Sequence, residues 1–237
     1  MEQPSPHLTA HSAGRAPLAL GEFVTLTAAL MALTALGVDA MLPALPAIGE
    51  SLGVASANHR QYVITAYLLG FAVAHLAYGP LADRYGRRPV LALSLAAYVV
   101  TSAVAAIAGS FELLLAARVA MGAAAAGSRV ITVAIVRDCF AGRSMARVMS
   151  LVSIVFMAVP ILAPAFGQAA LLVGPWRLIF WGIAIAAAAV LGWFWLRLPE
   201  TQRPRTASRS ACAGSPPITC WWSAIAARWA IPSPRRC

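Results

Sequence analysis

Four ionisable side chains, Asp39, His75, Arg118 and Arg129, interrupt stretches of sequence that are otherwise almost entirely apolar. Charged groups in such surroundings face a cavity or a partner, because stranding them in an apolar medium costs a few kcal/mol or more; they bind charged solutes or hold and pass protons. Asp39 is the first choice for a proton- or substrate-linked carboxylate, the alternative being a helix-end group in the headgroup layer. Histidine is a residue type suited to proton coupling, and at His75 a packed histidine fits the position equally well. Arg118 and Arg129 stand eleven residues apart, which on a helix is about three turns, so both point to one face. Gly122 lies between them and leaves space there for a ligand or a neighbouring helix. A second group of charges is clustered: Asp83, Arg84, Arg87 and Arg88, with Asp138 further along. A carboxylate among arginines can lock a helix–helix turn by ion pairing or by facing a helix N-terminus. Other chemistries find no residues. No nucleophile–base pair or metal-ligand cluster stands in the polar segments, there is no GxxxxGK[ST] phosphate loop, and Cys139, Cys212, Cys220 and Cys237 form no CxxC or His-paired set. An enzyme is not indicated, and no cofactor is expected.

The elements that position these residues are membrane helices. Sixty per cent of the 237 residues are hydrophobic and 11% charged, with a mean hydropathy of +0.76; a soluble domain carries about a quarter charged residues. One core cannot hide that much apolar surface, so lipid must cover the rest. The net charge of +10 comes from 18 basic residues, all of them Arg. Such a balance suits nucleic acid or a membrane, and because the arginines lie between apolar runs and in the tail, the membrane is the partner and nucleic acid is not. Runs of about 20 apolar residues, enough to cross the hydrocarbon core, lie at 23–45, 62–82, 89–109, 113–136, 148–173 and 176–198. In lipid they must be helices, since backbone groups have to bond within the segment. The first run is too long for a signal peptide and lacks a cleavage site, so it is expected to be retained. Arg84, Arg87 and Arg88 follow the second run, Arg137, Arg143 and Arg147 the fourth, and Arg197, Arg203, Arg205 and Arg209 end or follow the sixth. The alternate loops carry only Arg60 and Arg177 as basic residues, with Glu112 after the third run. Positive residues stay in the cytoplasm, which places both termini there. Trp176, Trp193 and Trp195 sit at the two ends of the sixth run, as headgroup-level aromatics do. Small pairs at four-residue spacing, Gly122 with Ala126 and Ala123 with Gly127, favour close helix packing. The fold class expected is an all-α membrane protein, a six-transmembrane-helix bundle.

Between the second and third runs the chain reads Gly79-Pro80-Leu81-Ala82-Asp83-Arg84-Tyr85-Gly86-Arg87-Arg88-Pro89. This resembles the GxLaDrxGrR signature of the major facilitator superfamily, at the same place in the topology. Asp39-Ala40-Met41-Leu42-Pro43-Ala44-Leu45-Pro46 and Ala134-Ile135-Val136-Arg137-Asp138-Cys139-Phe140 resemble its Bcr/CflA group of drug exporters. In the fifth run Leu162-Ala163-Pro164-Ala165-Phe166-Gly167 looks like that group's antiporter motif, with Pro160 one turn before; Val159, Ala163 and Gln168 stand where the general antiporter pattern has Gly. Leu198-Pro199-Glu200-Thr201 resembles the usual exit from the sixth helix.

The resemblance covers about residues 20–201 and implies one six-helix half of the superfamily fold, built as 3+3 inverted repeats. No repeat is visible in the letters. It implies proton-gradient-driven efflux of small drugs across a bacterial inner membrane, with an uptake permease of the same superfamily as an alternative. Arg118 matches the arginine of Leu-x-x-x-Arg-x-x-x-Gly, which the family associates with proton coupling. Asp83, Arg87 and Asp138 match its gating charges, Arg87 bridging the two carboxylates in one state and releasing them in the other. The domains expected are a tail (1–22), the helical domain (23–201) and a basic tail (202–237) with six Arg, five Pro, three Cys and no acid. So abrupt a change after Thr201 reads as out-of-frame translation in place of a second half. The partners expected are lipid, a small-molecule substrate, and either the missing C-terminal half or a second copy; an inert membrane fragment is the rival reading.

Overall fold

The computed structural model describes residues 20–140 and 142–197. The N-terminal tail, the 198–201 exit motif and the basic tail lie outside the described residues. Helix α1 is Leu20–Asp39, followed by a 3₁₀ turn at Leu42–Ala44 and short helices α2 (Leu45–Ser51) and α3 (Ala57–Arg60). Then come α4 (Tyr62–Tyr85), α5 (Arg87–Ala106), α6 (Phe111–Cys139), α7 (Gly142–Val173) and α8 (Arg177–Arg197). Among the described residues the fold is all-α, with six helical runs long and apolar enough to cross a membrane.

The first span departs from its expected course. Residues 23–45 do not form one helix: α1 stops at Asp39, and the chain turns through Met41–Ala44 before α2 begins. Pro43 and Pro46 explain the break, since neither has an N–H to continue a helix and each restricts the residue before it. Helices α4, α6 and α7 outrun their expected spans. Helix α7 has 32 residues, about 48 Å of rise against a hydrocarbon core of about 30 Å. Its first two turns, with Arg143, Ser144 and Arg147, are too polar to read as part of a span. Pro80 lies within α4, and Pro160 and Pro164 within α7. Two glycines with positive φ make the tight reversals at the arginine-rich end: Gly86 (φ +93°) is the only residue between α4 and α5, and Gly142 (φ +58°) opens α7. A side chain at either would be strained.

The packing shows the symmetry that the letters conceal. Map α1, α4 and α5 onto α6, α7 and α8 in order. The α4–α6 contact then becomes the α7–α1 contact, and α5–α6 becomes α8–α1. The α5–α8 and α1–α6 contacts map onto themselves, and all of these are present. Three spans return the chain to the opposite side, so the second trio is inverted relative to the first, the 3+3 arrangement. Helix α6 is the centre, with 61% of its most apolar stretch buried, against 22% for the run holding α4 and 17% for α7.

Candidate functional site

Where α6 crosses α4 the backbones touch. A Cβ on Gly122 would strike the Tyr67 carbonyl oxygen, and one on Gly70 would strike the Val119 carbonyl oxygen. The space expected beside Gly122 for a ligand or a neighbouring helix is therefore taken by a helix, α4. Gly127 similarly lies against Ser94 of α5 and Tyr78 of α4.

One turn from Gly122, Arg118 is fully buried. Its Nε donates to the Val63 carbonyl at 3.1 Å and its Nη1 to the Met121 Sδ at 3.5 Å. The guanidinium lies 4.6 Å from the Tyr67 ring centroid and 5.8 Å from that of Phe180. Its Nη2 has no hydrogen-bond partner, and no carboxylate pairs with Arg118 among the described residues. A buried cation is normally paired; this one rests on one carbonyl, a sulfur and two aromatic faces, with its Nη2 amino group idle.

Two residues overlooked in the sequence complete this cluster. Tyr67 and Tyr98 are fully buried, and their hydroxyls donate to the Thr34 and Leu33 carbonyls of α1 at 3.0 and 2.9 Å. Both hydroxyls cover Gly37, where a Cβ would come within 2.5 Å of the Tyr98 oxygen and 3.0 Å of the Tyr67 oxygen. The signal was available: a phenol in the middle of an apolar run must find an acceptor. Residues from α1, α4, α5, α6 and α8 thus meet around Arg118, in the half of the bundle away from the arginine-rich end.

The other candidates lie elsewhere. Asp39 ends α1 at the helix break, partly exposed and with no ion pair among the described residues. His75 is exposed on α4, its ring 5.3 Å from that of Phe71. Arg129 is partly buried with its guanidinium 5.0 Å from the Phe156 ring of α7, about 16 Å along α6 from Arg118. Gly167, from the fifth-span motif, lets α7 reach the broken first span: a Cβ there would meet the Ala40 carbonyl oxygen and come 2.9 Å from Pro43 Cγ. Pro160 and Pro164 lie in the same helix. Trp176, expected among headgroups, is instead 3% exposed and donates from Nε1 to the Ser51 Oγ at 2.7 Å.

At the arginine-rich end Arg87 forms an ion pair with Asp138 and donates to the Ala134 carbonyl at 2.7 Å. Asp83 is exposed and forms no ion pair among the described residues, so one of the two motif carboxylates is engaged. Arg84 lies 5.4 Å from the Tyr85 ring, and Arg88 donates to the Trp195 carbonyl at 3.1 Å. Gly79 packs against nothing a Cβ would meet. Glu22 and Arg197 tie α1 to α8 at 3.4 Å.

Comparison with known proteins places this arrangement. The model of the Major Facilitator Superfamily matches residues 27–233, running past the reach of the quoted motifs. The chain is 35% identical over 183 residues to the multidrug resistance protein MdtL of Escherichia coli O157:H7, covering 77% of this chain and 46% of that protein. With MdtL of Shigella flexneri serotype 5b it shares 34% over 191 residues, 81% of this chain and 48% of the relative. The chain thus spans about half the length of the curated relatives it matches. Among solved structures, a D-xylose-proton symporter superposes with a TM-score of 0.71 at 12% identity, over 88% of this chain and 53% of that one. The human organic anion transporter MFSD10 gives 0.62 at 24%, over 79% and 49%. At these identities the structures speak for the fold.

Proposed function

Because this chain belongs to the major facilitator superfamily, we propose that it forms the N-terminal half of a proton-coupled exporter of small drugs or other xenobiotics in a bacterial inner membrane. It is a transporter chain and not an enzyme. The observation that carries the reading is Arg118, a buried cation with an idle Nη2 amino group and no carboxylate partner among the described residues. Such a group supports coupling because an anionic or protonatable partner arriving beside it changes the local electrostatics sharply. Asp39, unpaired at the break of the first span, is the carboxylate assigned to the proton. The relatives' name, multidrug resistance protein, supports export of small drugs.

Both termini and the arginine-rich end lie in the cytoplasm, following the distribution of Arg. Substrate enters from that side between this half and a second one, and rocking of the halves exposes it outward as a proton moves inward. A second half, or a second copy of this chain, covers the exposed faces of α4 and α7. Arg87 releases Asp138 in the other state, with Asp83 as the second gating carboxylate.

The test is ethidium efflux from bacteria stripped of their own pumps, expressing this chain alone or with the C-terminal half of MdtL. Efflux collapsed by a protonophore, and lost in Asp39→Asn and Arg118→Met, is the expected result. Efflux indifferent to the protonophore overturns proton coupling. Efflux from the chain alone identifies a second copy as the partner, and efflux only on co-expression identifies a second half. Asp83→Asn should abolish transport with membrane insertion intact; unchanged transport refutes the gating role.

A further inference from the structure

Helices α5 and α8 pack against each other, and between them lies a groove of about 810 Å³. Small residues make its floor: Ala92 and Ala96 from α5, Ala188 and Gly192 from α8. Leu93 and Trp195 stand at its edges, 68% and 58% exposed. From Pro89 to Ala96 it follows α5 for about 10 Å, which keeps it within one leaflet of a core about 30 Å thick. A smooth apolar trough of that depth matches an acyl chain lying along the bundle.

At the mouth of the groove stands Arg88. It donates from Nη2 to the Trp195 carbonyl at 3.1 Å and lies 5.6 Å from the Trp195 ring, which fixes the guanidinium over the edge of the trough. That bond uses one of five N–H donors, and no carboxylate pairs with Arg88 among the described residues. The first turn of α5, from which Arg88 projects, has no side-chain cap, so its amides add positive potential at the same level. Arg197, at the end of α8, is shared with Glu22 at 3.4 Å and is half-neutralised. A fixed, unpaired guanidinium at headgroup depth above an apolar trough is complementary to one kind of molecule: a phosphodiester carrying a hydrocarbon chain. A helix docked in the trough would leave these donors without an anion.

We propose that the α5–α8 groove is a binding site for an anionic phospholipid of the leaflet at the arginine-rich end, its phosphate on Arg88 and one acyl chain over Ala92, Ala96, Ala188 and Gly192. The site depends only on the chain's crossing a bilayer, and stands or falls independently of transport. Basic pockets between membrane helices select anionic headgroups in this way.

Native mass spectrometry of the full chain, delipidated in detergent and given dioleoyl-phosphatidylglycerol or dioleoyl-phosphatidylcholine at equal concentration, tests it. The expected result is a preference of about fivefold for phosphatidylglycerol, the effect of one arginine at a membrane surface. Arg88→Gln should bring the two lipids to parity. Arg143→Gln, also at the basic end but outside the groove, should leave the preference unchanged, which separates the site from general attraction to a cationic protein. Gly192→Leu should lose bound lipid of both kinds. A Cβ at Gly192 meets nothing within 4 Å, so this variant fills the trough without disturbing the fold, as circular dichroism would verify. Equal adducts on the unmodified chain, or a preference that survives Arg88→Gln, overturns the proposal. So does a dimer that Gly192→Leu dissociates, because the groove then belongs to a second copy.

Discussion

The α4–α6 and α1–α7 crossings occupy equivalent places in the two inverted trios, yet they are built differently. At α4–α6 two unbroken helices press backbone on backbone, each glycine, 70 and 122, seated on a carbonyl of the other helix. At α1–α7 a single glycine, Gly167, meets Ala40, just beyond the end of α1, and α7 itself carries Pro160 and Pro164. The Tyr67 carbonyl struck by a Cβ at 122 belongs to a continuous helix and cannot retreat. The Ala40 carbonyl lies in a turn where Pro43, three residues on, has no N–H to hold it. One crossing is a fixed axle and the other a place where the scaffold can give.

The most direct way to break this contrast is Gly122→Leu. Overpacking a backbone contact held by two intact helices should cost about 3 kcal/mol or more, enough to remove folded protein from detergent extracts on size-exclusion chromatography. Gly167→Leu meets an equally close neighbour, but in a turn that can shift, and should cost about 1 kcal/mol, read as a small drop in thermal midpoint. Equal losses would abolish the distinction. Tyr98→Phe removes one bond from the first span to its neighbours and should lower stability by about 1 kcal/mol by the same measurement. The smallest stability change is expected for Arg118→Met, within about 1 kcal/mol, since a buried cation without a counter-charge adds little to the folded state. A large loss there would make Arg118 a structural anchor of the α4–α6 crossing.

The spans were legible because length and apolarity determine them, and the loop motif 79–89 identified the family because its charges and glycines stand at one topological position. The helix break at 40–44 was not, although Pro43 and Pro46 were in view: apolarity runs straight through them, and hydropathy does not register a missing N–H. Gly122 was read as room for a ligand or a neighbouring helix, because a sequence cannot say whether a missing side chain leaves a void or admits another backbone. Tyr67 and Tyr98 escaped because their meaning lies in α1 carbonyls 33 and 65 residues away. The repeat was invisible for a related reason. The two trios share contacts and not residues: the place held by Gly70 and Gly122 in one crossing is held by Gly167 and a proline-broken turn in the other.

That inverted repeat has a consequence for vectorial work. A bundle whose two trios are the same arrangement turned upside down presents the same geometry to either aqueous side, so the scaffold has no preferred direction. Any difference between the two aqueous faces must therefore be carried by side chains without a counterpart in the other trio. The guanidinium buried at 118 is one, since α1, the equivalent of α6 under the repeat, holds no basic residue.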